Sequence, residues 1–223
     1  MKKICLWFLV SLFVGCEPPQ MGNQTTCVIF GQTHLSIPNH YFLSGFPPTL
    51  IPSPGLDQDV GELLEIPLND LGYANKTGIG YDRVLSFLVT PLKVHHLQNG
   101  SSFSALKAWK GISPYKNRII EFDNVTQWYR IYATKYRKSW EFFKSYPNDS
   151  MNYDETWVAG CLAGSQGQET PKLSEVTCKT LFIYKDIHIQ MTFSGKYIDL
   201  IEEIKFKIRN LFKDWETESC KLN

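Results

Sequence analysis

Apolar and polar positions alternate at period two along most of this chain, and near its end the period changes to three and four. Cys27-Val28-Ile29-Phe30 and His34-Leu35-Ser36-Ile37 are short apolar runs on either side of Gly31, which predicts two strands turning at the glycine. Four prolines between Phe46 and Gly55 make that stretch a loop. Leu63 to Leu68 reads as an edge strand, because Pro67 has no N–H to give to a ladder. Residues 70–81 hold Gly72, Asn75, Gly78 and Gly80 and return to loop, and Arg83 to Leu92 alternates as a strand. Strands follow at Arg118–Phe122, Trp128–Tyr136, Trp140–Lys144 and Trp157–Leu162. Val176–Tyr184 and Ile187–Phe193 form a hairpin turning at Lys185-Asp186. Then Ile198, Ile201, Ile204, Ile208, Leu211, Phe212 and Trp215 recur at helical steps, with Lys, Glu and Asp on the other face. Ser194 is the expected N-cap, Asp199, Glu202 and Glu203 suit the first turn, and Lys213 suits the last. The pattern predicts an α+β fold: antiparallel sheet with a C-terminal amphipathic helix packed on it.

The first residues stand apart. Met1-Lys2-Lys3 is followed by an apolar run from Ile4 to Val14, about the length of a signal-peptide core and too short to cross a bilayer as a helix. Phe13-Val14-Gly15-Cys16 resembles the lipobox of bacterial lipoproteins, with Phe13 where Leu is usual. The resemblance implies cleavage before Cys16 and a lipid on its sulfur. Several acyl chains on one residue hold far more firmly than a single chain, since each buried methylene contributes about 0.8 kcal/mol. The expected organisation is therefore a signal peptide over 1–15, a polar tether over 16–25 and a single envelope domain over 26–223. Glu17, where an Asp would favour retention by resemblance to enterobacterial sorting, points to the outer membrane, with the domain facing the periplasm.

Charge and cysteine usage narrow the chemistry. Without Lys2 and Lys3 the 23 basic residues become 21 against 22 acidic ones, so there is no basic field for nucleic acid. Cys5 leaves with the signal and Cys16 is the lipidation site, which leaves Cys27, Cys161, Cys178 and Cys220 in an oxidising compartment. Four cysteines allow three connectivities. Cys161–Cys178, closing a short loop between two strands, and Cys27–Cys220, tying the ends of the domain together, are the favoured pairs. A loop as long as the second contributes on the order of 4–5 kcal/mol in the chain-entropy model.

No motif for catalysis, metal or cofactor stands out. Gly-x-Ser-x-Gly, His-Glu-x-x-His and a phosphate loop are absent. The stretch from Asp57 to Leu68 fails as a calcium loop because its glycine is misplaced and position twelve is Leu68. His95-His96 lacks a carboxylate at ligand spacing, and Asp154-Glu155 are neighbours that point apart. Ser165 would reach His188 only by the fold. Five Asn-x-Ser/Thr sites, at Asn23, Asn75, Asn99, Asn124 and Asn148, would be glycan acceptors in a eukaryotic secreted protein.

A tethered domain without catalytic motifs is expected to bind something. Three features carry a further resemblance: the lipobox to Cys16, Cys161 with Cys178-Lys179-Thr180-Leu181, and Phe193-Ser194-Gly195-Lys196-Tyr197 leading into the helix that ends at Trp215. Together they resemble the immunity lipoproteins paired with type VI secretion lipase effectors. That resemblance implies a non-enzymatic protein whose partner is a secreted phospholipase-type toxin. The alternative is a structural or assembly lipoprotein of the envelope, and a third reading is a divergent hydrolase. Large side chains on loops are the natural anchors of a binding surface. The expected ones are Tyr41, Phe42 and Phe46 on the proline-rich side and Tyr73 and Tyr81 on the glycine-rich one, although each is equally suited to covering the core.

Overall fold

The computed structural model describes residues 24–43, 61–73, 84–92, 101–133, 138–148, 152–163 and 171–218. Among these residues, ten strands form two antiparallel sheets. β1 (Thr25–Phe30) and β2 (Thr33–Pro38) make a separate hairpin, turning at Gly31 with φ +58°, a left-handed conformation that a Cβ would strain. The other eight are β3 (Glu62–Pro67), β4 (Val84–Pro91), β5 (Ile119–Asp123), β6 (Trp128–Tyr132), β7 (Ser139–Phe143), β8 (Trp157–Ala163), β9 (Val176–Tyr184) and β10 (Ile187–Ser194). Their order is β3-β4-β10-β9-β8-β7-β6-β5. Strands β5 to β10 run as a meander, and the β3–β4 hairpin joins its far side through β4 and β10. The expected edge position of the strand with Pro67 is observed.

The C-terminal helix covers one face. Gly195–Leu200 is a tight 3-10 turn, and α-helix begins only at Ile201, running to Trp215. The expected N-cap is therefore displaced. Ser194 precedes the 3-10 turn and makes no capping bond through its side chain, and Leu200 holds the N-cap position of the α-helix. The apolar stripe is as the spacing predicts: Ile201, Ile204, Ile208, Phe212 and Trp215 are buried. They meet Leu85, Phe87, Val89, Ile189, Met191 and Phe193 from the sheet in one core. Each such side chain contributes about 1.5–3 kcal/mol by leaving water. The β1–β2 hairpin docks at the far end of this helix, where Leu35 bridges to Glu216 and Thr217 N–H donates to His34 O at 3.1 Å.

The opposite face carries a smaller helix with no counterpart among the expected elements. α1 (Ser101–Lys110) buries Ala105, Ala108 and Trp109 against Ile131, Phe143 and Trp157. A single short turn, α2 (Tyr153–Thr156), leads into β8, capped by Asn152 Oδ1, which accepts from Asp154 N–H. The long C-terminal helix is α3 (Ile201–Trp215). Between α1 and the sheet lies Glu141, which is 6% exposed. Its carboxylate accepts from Trp157 Nε1 at 2.9 Å, and the Ser104 hydroxyl also bonds to it. Opposite it in register is Gly160, and a Cβ there would stand 2.7 Å from Glu141 Oε2. The missing side chain is what makes room for the carboxylate.

The Cys161–Cys178 disulfide joins directly opposed residues of β8 and β9. Cys27 is also disulfide-bonded. Its expected partner Cys220 lies outside the described residues, as do Cys16, Phe46, Tyr81, His95, His96 and Ser165. No helix among the described residues is long and apolar enough to cross a membrane.

Candidate functional site

The loop aromatics expected at a binding surface have other positions. Tyr41 and Phe42 are 7% and 4% exposed. They cover the core, the second role their sequence context allowed. Tyr41 stacks against Trp215 with ring centroids 5.2 Å apart, and its hydroxyl donates to Asp70 Oδ2 at 2.9 Å. Phe42 bridges to Leu64 on β3. Tyr73 is half-buried beneath the Lys207 ammonium, 4.0 Å from its ring centroid. The physical reason is local. The chain after β2 turns straight back along β3, so the first aromatics after that strand face the sheet rather than solvent.

A different aromatic group faces outward at the β5 end of the sheet. Phe122 on β5 lies opposite Tyr129 on β6, with ring centroids 5.2 Å apart in edge contact. Tyr146, just beyond β7, adds a second edge contact to Tyr129 at 5.5 Å. Phe122 and Tyr146 are about half exposed, and Val125 at the tip of the hairpin is 81% exposed. These side chains sit on a stiff support. Asp123 is buried, and its Oδ1 accepts from Val125 N–H at 2.8 Å and Thr126 N–H at 3.3 Å, which closes the turn. Arg130 pairs with the other oxygen of Asp123, and its guanidinium lies over the rings of Trp140 and Phe142. A cation held between a buried carboxylate and two aromatic faces fixes the strand that carries Tyr129.

No protein-family model matches this chain, and no curated protein matches it. A solved structure to which it is similar is Smlt3025, an immunity protein of the Stenotrophomonas maltophilia type IV secretion system. The two chains are 12% identical, with 87% of this chain and 94% of that one covered at a TM-score of 0.46. So distant a likeness carries no argument about what this protein does.

The chemistry of the described residues adds to the picture. They contain no group of three or more His, Cys, Asp or Glu side chains able to hold a metal ion. His188 is buried beside Thr90, whose hydroxyl lies 3.4 Å from Nδ1. Burial pushes the Glu141 carboxyl up to about 7, although the bonds from Trp157 and Ser104 pull the other way. That acid is sealed beneath α1, where it ties the helix to the sheet. At the turn joining β9 and β10, burial raises the Asp186 carboxyl, but bonds from Thr33 and Gln32 outweigh it and hold the group below its usual range. Gln32 N–H donates to Asp186 Oδ2 at 2.5 Å, which pins the β1–β2 turn to the main sheet.

The outward aromatics were missed by a reading that placed anchors on loops. Phe122 and Tyr129 fall in two strands that the sequence predicts one after the other, but their pairing appears only in the structure. What sequence lacked was α1, whose footprint decides which part of that face stays uncovered.

Proposed function

We propose that this protein is a lipid-anchored immunity protein of the bacterial envelope that binds and neutralises a secreted antibacterial toxin of the phospholipase type. The observation that carries the reading is the cluster of Phe122, Tyr129 and Tyr146 beside the exposed tip residue Val125, on a rigid hairpin at the edge of the sheet that no strand among the described residues pairs with. Binding surfaces draw most of their energy from a few large side chains held in fixed positions, with aromatics foremost. An edge strand adds main-chain donors and acceptors that an extended partner can use. The leader ending at Cys16 and the layout around Cys161, Cys178 and α3 support the same reading by resemblance.

In this reading the lipid on Cys16 holds the domain where an incoming toxin arrives. Fatty-acid labelling of the wild type and its loss in Cys16→Ser test the anchor. The functional test is deletion of the gene in its native strain while the adjacent secreted protein is still expressed. Lysis of sister cells, reversed by the wild-type gene, is the expected result. Unimpaired cells, and no partner recovered with the tagged domain, would assign the protein to envelope structure or assembly instead.

A further inference from the structure

The large sheet is forked. β8 starts at Trp157 and β9 runs on to Tyr184, but their ladder holds only four pairs, Gly160↔Lys179 to Ala163↔Val176. The disulfide fixes the phase of that ladder. Cys161 and Cys178 are directly opposed with Cα atoms 4.1 Å apart, the spacing of a non-hydrogen-bonded pair. Gly160 and Lys179 are then a hydrogen-bonded pair, and by the same alternation Leu181 and Ile183 turn their N–H and C=O groups toward β8. The strands have parted there. Val158 is the extra residue of a bulge against β7, where Phe142 opposes Ala159 and Phe143 opposes Trp157, and its carbonyl accepts the Thr180 hydroxyl at 2.6 Å. The sheet therefore contains a stretch of strand edge inside its own span.

A cleft of about 480 Å³ lies at this fork, with Trp157, Leu181 and Ile183 on its walls. That volume falls within the range of sites that take a ligand or an inserted side chain. Its charged walls come from different elements. Asp154 and Glu155 belong to α2, whereas Glu202, Lys205 and Arg209 belong to α3. Lys144 and Lys205 both lie 3.3 Å from Glu202, so one carboxylate is shared by two ammonium groups. Arg209 lays its guanidinium over Phe182, 5.0 Å from the ring centroid, and no carboxylate among the described residues pairs with it. The α3 wall thus has positive charge in excess, and the α2 wall is acidic. Trp157 is held in place by its bond to Glu141, so the apolar wall is preformed.

We propose that this fork receives an extended segment of the toxin, which pairs with the main chain of Leu181 and Ile183 and presents an acidic side chain to Arg209 and Lys205. The inference rests on the binding role proposed above and names a second contact for it, distinct from the aromatic hairpin. Main-chain pairing gives such a contact its affinity, and the charged walls give it direction and register. The two opposed walls favour a segment whose acidic residue is accompanied by a basic one facing Asp154 and Glu155.

The experiment uses the protein without its proposed leader and, as probe, a purified phospholipase-type secreted protein encoded beside its gene. Amide hydrogen exchange is read residue by residue in the free protein and in the complex. In the free protein, Leu181 and Ile183 should exchange at least tenfold faster than Thr180 and Phe182, which bond to β10. In the complex they should slow at least tenfold, and Arg209→Glu should weaken binding at least tenfold with its thermal midpoint unchanged. Arg209→Gln should weaken it less. A complex that forms without new protection at Leu181 and Ile183, or that tolerates Arg209→Glu, overturns the fork and leaves the binding role standing. Absence of any complex with the wild-type protein overturns both.

Discussion

At one end of the large sheet β3 carries Pro67, and the chain at Phe42 and Leu43 lies against its outer side, with Leu43 N–H donating to Leu63 O at 3.1 Å. At the other end β5 has no proline, and no strand among the described residues pairs with its outer side. Beside it stand Phe122 and Val125, both open to solvent. Unprotected edges invite pairing with other chains, and proteins usually blunt them. Among the described residues, one edge is closed and the other pairs with no strand, next to the exposed aromatic group of Phe122 and Tyr146. Aromatic residues are abundant at both ends, and they do opposite work. Tyr41 and Phe42 finish the core at the closed end, whereas Phe122, Tyr129 and Tyr146 build a surface at the open one.

That contrast can be broken by substitution. Leu64 is fully buried on β3 beneath Phe42, and Leu64→Ala should cost about 2–5 kcal/mol, by lost burial and the cavity left behind. Phe122→Ala should cost about 1 kcal/mol or less, because its ring is half in water and loses mainly the contact with Tyr129. Urea midpoints of the two variants check the pair. Equal losses would mean that the β5 end is part of the core and not a surface.

Replacing Cys161 and Cys178 together by alanine should cost about 3 kcal/mol, the chain-entropy value for a loop whose ends are 17 residues apart. The loss should appear in chemical denaturation, and it should also widen the fork. Faster exchange of the Lys179 amide, which pairs with Gly160 next to the bridge, would register that opening.

Glu141 sharpens the comparison from beneath, since it ties α1 to the half of the sheet that supports the aromatic hairpin. Its carboxyl is raised from 4.5 to about 7 in the folded protein, chiefly by burial. The folded state therefore holds a proton that the unfolded state releases, and this contribution to stability is complete below about 4.5. It declines as pH rises toward about 7. Glu141→Gln, which keeps an acceptor for Trp157 Nε1, should remove that slope. Denaturation at pH values on either side of the window compares the two, and an identical slope in the variant would refute the assignment.

Much of the scaffold was legible in the sequence. Apolar runs, alternation and turn residues located the ten described strands, Pro67 marked an edge, and the three- and four-residue spacing from Ile198 to Trp215 gave the covering helix its buried stripe. The pairing of Cys161 with Cys178 followed from two strands a short loop apart. α1 escaped because its described buried face is built on Ala105 and Ala108, which carry little hydrophobic contrast, together with Trp109. The order of the sheet, with β4 beside β10, is a long-range pairing that no local pattern encodes. For the same reason neither the fork nor the exposed aromatic face was visible. Both depend on which strand ends where, and on what a distant helix leaves uncovered. The choice of Tyr41 and Phe42 as anchors shows the limit well: residue type and loop context were right for a surface, and the return of the chain along β3 decided otherwise.

The central claim is that the open β5 end is where a toxin is held. Its most direct test is the dissociation constant of the protein for a phospholipase-type secreted protein encoded beside its gene, measured for the wild type and for the joint Phe122→Ala, Tyr146→Ala variant. Two central aromatic anchors lost together should cost about 3 kcal/mol or more of binding, a weakening of at least a hundredfold, with the thermal midpoint nearly unchanged. An unaltered dissociation constant in a folded double variant would contradict the claim.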